Sequence, residues 1–233
     1  TTNANGIQNV FMGTGWGSGI SLKDDSGAYK TKDNADLAAL AEMFKGLYDD
    51  GSLYPGMSTL EESEMTSNFA AGNCAFTVAS AATMSQFTDI NFEATTIPVK
   101  DDYKDQSGIC YASWAVGITE NSENKEEAAK FVNYLLGGMD GKDGSASAGL
   151  AATMSAFPNS TVAEPDYSEA PKQFQSYYEL YKKNYVINEF IGLPNASDVM
   201  TSMTNDLTTY LEGEIDSATL LSNWQGYLDE AGK

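Results

Sequence analysis

The sequence contains no histidine and no arginine, and its 13 cationic side chains are all lysines. Ser-His-Asp and Cys-His catalysis both require an imidazole as the base, so this chain alone supports neither. Zinc, haem and non-haem iron sites that depend on histidine ligands are excluded on the same ground. These absences remove a large part of the catalytic and metal-binding possibilities. Our expectation for the chain as a whole is that it is not an enzyme and that it holds no metal ion and no cofactor.

Positive charge is scarce, because 33 Asp and Glu face 13 Lys and the formal net charge is −20. A protein that binds duplex nucleic acid needs a cationic surface against the phosphates, and a chain this acidic would be repelled. The charge predicts no nucleic-acid partner. It also favours solubility and disfavours adhesion to anionic lipid headgroups.

Long apolar runs and cysteines are few. The run "YASWAVGI", residues 111–118, is far shorter than the ~20 residues that span a bilayer. The N-terminal "TTNANGIQNV" lacks the basic and apolar regions of a signal peptide, as expected for a mature chain or a fragment. Cys74 and Cys110 lie in strand-like apolar runs, where buried thiols are favoured over a disulfide. The sequence leaves that choice open.

Residue patterning predicts an α/β first half and a helical second half. Glycines at 13, 15, 17 and 19 favour a strand or turn pair, with Trp16 either a packed anchor or a ring presented to a ligand. Segments 74–79, 92–99 and 109–118 are predicted strands. Apolar residues at helical spacing predict helices over about 34–51, 61–71, 124–137, 174–181, 199–210 and 220–228. The small-residue-rich segment 139–160 is the best linker candidate.

Two short motifs look functional but lack required residues. "DGKDG" (140–144) begins like a calcium loop, but Lys142 stands at its third position and Ala151 where a bidentate Glu is needed. "SENK" (122–125) has serine–lysine spacing, but acids surround Lys125, which would stay charged and be a poor base. Paired carboxylates could hydrolyse glycosides without histidine, although most of the acids lie in solvated runs. A glycoside hydrolase therefore remains an alternative.

Aromatic side chains with polar groups are plentiful, with 13 Tyr and 3 Trp. Flat rings stack on the apolar faces of sugars, while Asn, Asp and Glu bond the hydroxyl groups. This composition favours a neutral carbohydrate as ligand. Trp224 lies on a helical core stripe and is expected to be structural.

The order of segments resembles a known family. "DDSGAYKTKDNADLAALAEMFKGLYDDGSL", "MTSNFAAGNCAFTVAS", "FEATTIPVKDD" and "YASWAVGITENSENKEEAAKFVNYLL" follow one another as in the extracellular solute-binding proteins of ABC importers, specifically the maltose-binding-like family. The closing "VMTSMTNDLTTYLEGEIDSATLLSNWQGYLDEAGK" resembles that family's C-terminal helices.

The resemblance implies an α/β, periplasmic-binding-protein-like fold in which two lobes enclose a cleft. Residues 1–72 would form the first part of the C-terminal lobe, residues 73–138 the returning segment of the N-terminal lobe, and residues 139–233 the helical part of the C-terminal lobe. The family's first segment, which forms most of the N-terminal lobe, does not appear before Thr1. The resemblance therefore implies a fragment or one half of a split protein.

The resemblance also implies a function and a set of ligand-binding residues. We expect reversible capture of a neutral sugar or oligosaccharide for an ABC permease at a bacterial cell surface, with a lipid anchor outside this chain. The family's strand end that presents an aromatic ring matches Trp114, with Tyr111 and Ser113 beside it. The loop before the final helices contributes Glu189, Phe190 and Asn195, and Trp16 completes the candidates. A protein-interaction module is the second alternative to this function.

Overall fold

The structure is a computed structural model. It describes residues 6–54, 56–57, 60–79, 83, 86–87, 89–104, 109–110, 117–135, 175, 180, 185–186 and 188–232. Contacts divide the chain into two compact units. The first comprises Thr1–Val78, Thr96–Tyr111 and Lys183–Lys233, and the second comprises Ala79–Thr95 and Ala112–Lys182. The assignment of segments to two lobes stays a prediction. The predicted linker 139–160 and the predicted helix 174–181 lie outside the described residues, apart from Gln175 and Leu180.

Helices dominate the first unit. A π-helix, Ile7–Met12, runs directly into α1, Gly13–Gly17. Helices α2 (Ala35–Asp49) and α3 (Glu62–Ala70) follow, and α5 (Ala196–Leu211) and α6 (Ser217–Ala231) close the chain. A two-residue strand β1, Ile109–Cys110, pairs in parallel with β2, Tyr185–Val186. None of the described helices is both long and apolar enough to cross a membrane.

Helices α2, α5 and α6 pack against one another around one apolar core. Their inward side chains recur every three or four residues, as an amphipathic helix requires. These residues include Leu37, Leu40, Val199, Met203, Tyr210, Leu220, Leu221 and Leu228. Trp224 is completely buried and meets Phe11 edge-on at 5.4 Å, which confirms its predicted structural role.

Side chains at the helix starts satisfy backbone N–H groups that have no partner within the helix. Asn34 Oδ1 accepts hydrogen bonds from the backbone N–H groups of Asp36 and Leu37, both at 3.1 Å. Asp216 Oδ1 accepts from the N–H of Thr219 at 2.8 Å. These caps fix where α2 and α6 begin. The observed start of α2 agrees with the helix predicted over about 34–51.

The strand or turn pair predicted for the first twenty residues is wrong, because residues 7–17 are helical. The glycines there permit close packing. A Cβ built on Gly17 would lie 2.8 Å from Val99 Cγ1, and one on Gly15 would lie 3.0 Å from Leu40 Cδ2. A side chain at Gly17 would require Val99 to shift, and one at Gly15 would require the end of Leu40 to give by a few tenths of an ångström. The glycines therefore serve the close packing of a helix.

The strands predicted at 74–79 and 92–99 are not found either. Both segments lack regular secondary structure, and Phe76 is 89% exposed. Cys74 carries a free, half-buried thiol. Of the strand predicted over 109–118, Ile109–Cys110 is confirmed, and residues 111–116 lie outside the described part. Residues 117–118 are not in a strand.

The second unit contains α4, Lys125–Leu135, at the place that the sequence predicts. The apolar residues whose spacing predicts this helix are only partly buried. Ala128 is half-buried, but Phe131 is 61% exposed. Phe87 and Phe92 meet edge-on in this unit, with ring centroids 5.2 Å apart.

Candidate functional site

The structure brings three of the sequence-predicted site residues into direct contact. Trp16 lies at the end of α1, and Glu189 and Phe190 lie in the loop that precedes α5. Asn195 ends that loop as the residue before α5. Trp114, Tyr111 and Ser113 lie outside the described residues and stay predictions.

Glu189 is the centre of this contact. Its Oε2 accepts hydrogen bonds from Trp16 Nε1 at 2.6 Å and from the backbone N–H of Leu22 at 2.7 Å. Its Oε1 accepts from Ser21 Oγ at 2.6 Å. Its backbone carbonyl accepts from the Tyr29 hydroxyl at 2.9 Å. One residue therefore joins the loop before α5 to four residues among the first thirty.

Trp16 is held on two sides. Its ring is 9% exposed and packs against Phe190 at a centroid distance of 5.7 Å and an interplanar angle of 66°. Its indole N–H is bonded to Glu189, as above. These contacts are those of a packed anchor, the first of the two roles that the sequence left open. A contact of its ring with ligand stays a prediction.

The loop from Asn188 to Asn195 has a buried and an exposed side. Phe190 is 2% exposed and Leu193 is 8% exposed, whereas Ile191 is 67% exposed. Asn188 Oδ1 accepts from the Phe190 N–H at 3.0 Å and holds the turn internally. Asn195 has a left-handed backbone, φ 51°, and its side chain makes no capping bond to α5. Asn195 is exposed.

Sequence reasoning missed Ser21, Leu22 and Tyr29 as partners of this loop. They lie 160 to 168 residues from Glu189 in the chain, so no local pattern links them. The clue that selected Glu189, together with Phe190 and Asn195, was the position of this loop before the final helices of the family that the sequence resembles.

A shallow groove of about 640 Å³ lies between the first turns of α2 and α6. Helix starts attract anions through free N–H groups. Here three of those N–H groups are bonded to the Asn34 and Asp216 side chains. The hydrogen bonds from Thr219 lower the pKa of Asp216 and keep its carboxylate charged. The groove therefore carries a negatively charged cap residue, which disfavours an anionic ligand.

In the described part of the chain, no group of three or more Asp, Glu or Cys could hold a metal ion.

Comparisons with known proteins identify the family. Residues 3–137, more than half of the chain, match the model of the family described as bacterial extracellular solute-binding protein. A search of curated proteins found no match. The family consists of binding proteins, not enzymes, and is extracellular by description.

Solved structures share the fold. The maltose-bound MalE3 of T. maritima aligns with a TM-score of 0.71 and 16% identity over 94% of this chain. A chitin oligosaccharide binding protein aligns with a TM-score of 0.61 and 17% identity over 99% of this chain. The chain spans 56% of the length of each of these proteins. The predicted periplasmic-binding-protein-like fold is confirmed, and the chain belongs to the bacterial extracellular solute-binding protein family.

Proposed function

We propose that this chain takes part in the non-covalent capture of a neutral sugar or oligosaccharide and in its delivery to an ABC import permease. The observation that carries the proposal is the family match over residues 3–137. The fold is shared with one protein solved with maltose and with one named for chitin oligosaccharides, and this supports a saccharide as ligand. We place the protein at the bacterial cell surface, held by a lipid anchor outside these residues.

The composition agrees with this chemistry. An uncharged ligand needs no arginine fork, and a chain of net charge −20 without arginine or histidine has few groups for binding anions. Sugars are held by aromatic faces and by directed hydrogen bonds, and release requires no covalent step. We propose Trp114 as the stacking ring with Tyr111 and Ser113 beside it, and the loop with Asn195 as a second contributor.

Titration calorimetry tests the proposal, with maltose, maltotriose, chitobiose and chitotriose as probes. We expect saturable heat for at least one sugar and no new reducing ends after long incubation. New reducing ends would favour the glycoside hydrolase. Absence of sugar-dependent heat for all four would contradict the proposal and favour a protein-interaction module.

A substitution tests the proposed stacking residue. We expect Trp114→Ala to raise the Kd at least tenfold, equivalent to about 1.4 kcal/mol. Trp114→Phe keeps a flat ring and serves as the matched control, with affinity close to that of the unaltered chain. Equal affinity of Trp114→Ala and the unaltered chain would remove Trp114 from the site.

A further inference from the structure

The longest uncharged stretch of this acidic chain surrounds Phe76. Residues 65–88 contain no Asp, Glu or Lys, although the whole sequence has 33 acids and 13 lysines. Within this stretch, "CAFTV" (74–78) combines high β-propensity with no charge and no proline. Exposed sheet edges in soluble proteins normally carry charged side chains or prolines that block pairing with other segments. Residues 74–78 have neither, so their composition is typical of a strand that is covered in the working protein.

The structure gives this segment no strand partner among the described residues. No backbone hydrogen bond joins residues 74–78 to the described part of the chain. Phe76 is 89% exposed, the highest value among the exposed large apolar residues of that part. The next residue, Thr77, has a buried Oγ1 without a hydrogen-bond partner there. Unpaired N–H and C=O groups beside an exposed ring are what a strand added from another segment would satisfy.

The lengths of the solved structures that share the fold indicate what covers the segment. The alignment with the maltose-bound MalE3 covers 94% of this chain but 56% of that protein. The alignment with the chitin oligosaccharide binding protein covers 99% of this chain and again 56% of that protein. Almost half of each of those proteins therefore has no counterpart in residues 1–233. We infer that residues 74–78 are an edge strand that pairs with a further segment of the same protein, outside these 233 residues, and that Phe76 packs on that segment.

A second copy of this chain fits the segment less well. Each copy carries a formal net charge of −20, so two copies repel each other. A second copy would also not supply the part of the fold that the longer proteins have and this chain lacks. The inference goes beyond the proposed function and does not depend on it, because it concerns the completion of the fold and names no sugar.

Amide hydrogen exchange tests the inference on two proteins, the chain of 233 residues and the complete product of the gene that encodes it. We expect the amides of residues 75–78 to exchange about a hundredfold more slowly, or slower still, in the complete product, because a paired strand protects them. The amides of α6 should be protected in both proteins. Equal rates at residues 75–78 in the two proteins would overturn the inference. A gene product of only these 233 residues would overturn it as well, because no further segment would then exist.

Substitution of Phe76 tests the packing of its ring. Phe76→Asp should lower the Tm of the complete product by about 4 °C or more and leave that of the 233-residue chain unchanged, because the ring is covered only in the complete product. Phe76→Leu keeps an apolar side chain and should restore most of this loss. Met43→Asp is the matched control, since Met43 is 44% exposed on α2, and it should change neither Tm.

Two results would contradict the proposed packing. If Phe76→Asp and Met43→Asp have the same effect on the complete product, no segment packs on Phe76. If exchange at residues 75–78 slows in the 233-residue chain as its concentration rises, and sedimentation shows a dimer, then a second copy covers the strand and the inference is overturned.

Discussion

Gly17→Ala tests the packing of the N-terminal helix most directly. The new Cβ would lie 2.8 Å from Val99 Cγ1, well inside the optimal separation of about 3.5–4.0 Å between carbon atoms. Valine is stiff at χ1, so its methyl group cannot simply swing away. The contact must open by shifting the segment that carries Val99 away from α1. Strain of this kind typically costs about 1–3 kcal/mol.

A matched glycine isolates that strain. Gly46 lies on the exposed side of α2, and a Cβ there meets nothing within 4 Å. Alanine is favoured over glycine in a helix by about 0.8–1.0 kcal/mol, so Gly46→Ala should stabilise the protein. Gly17 is the last residue of α1, so its gain in helix propensity is at most that of Gly46. The difference between the two variants should therefore be about 1–3 kcal/mol.

Urea unfolding followed by circular dichroism gives the free energy of unfolding for both variants. Val99→Ala removes the clashing methyl group, so Gly17→Ala combined with Val99→Ala should cost less than the sum of the two single changes. If Gly17→Ala stabilises the protein as much as Gly46→Ala does, Gly17 does not pack against Val99. The close approach of α1 to Val99 would then be wrong.

Three further predictions concern single side chains. Asn34→Ala should lower the free energy of unfolding by about 1 kcal/mol in urea, because two capped N–H groups lose their acceptor. Hydrogen bonds from Thr219 lower the pKa of Asp216 in the folded protein. Its contribution to stability is therefore present above the ordinary pKa of 3.8 and is lost as the pH falls through the lowered folded pKa. In thermal melts measured over a range of pH, Asp216→Asn should reduce the loss of stability at acid pH. Burial, with the hydrogen bond to Asp206 second, raises the pKa of Tyr227 above 10.0, so stability falls as the pH rises from there. Tyr227→Phe should remove that part of the alkaline loss.

The elements that the sequence predicted correctly are those specified by neighbouring residues. In α2 and α6 the apolar stripe, the cap and the exposed face all lie within one short segment. Asn34 is recognisable as a cap because its acceptor reaches N–H groups only two and three residues ahead. Such signals do not depend on the rest of the fold.

The features that the sequence missed depend on distant contacts. Glycines at 15 and 17 signal a turn when read locally, but Leu40 and Val99 are what require them. The partners of Glu189 likewise lie at least 160 residues away. The sequence selected Trp16 and Glu189 separately as site residues. Only the structure shows that they are hydrogen-bonded to each other.

The segment 74–78 shows the same limit for β-structure, and it yields a last prediction. Its residues favour a strand, but propensity forms a strand only when another segment supplies the partner N–H and C=O groups. No backbone hydrogen bond joins residues 74–78 to the described part of the chain. We therefore expect their amides to exchange with solvent much faster than those of α6.

Substitution of a phenylalanine tests the same segment. Phe76 is 89% exposed, so Phe76→Ala should change the free energy of unfolding by no more than about 0.5 kcal/mol. Phe11 is 1% exposed, so Phe11→Ala should lower it by about 3–5 kcal/mol. Slow amide exchange at residues 75–78 would show that this segment is paired, because unpaired amides exchange quickly. A similar loss of stability for both phenylalanine variants would show that Phe76 is buried, because truncating an exposed ring costs little.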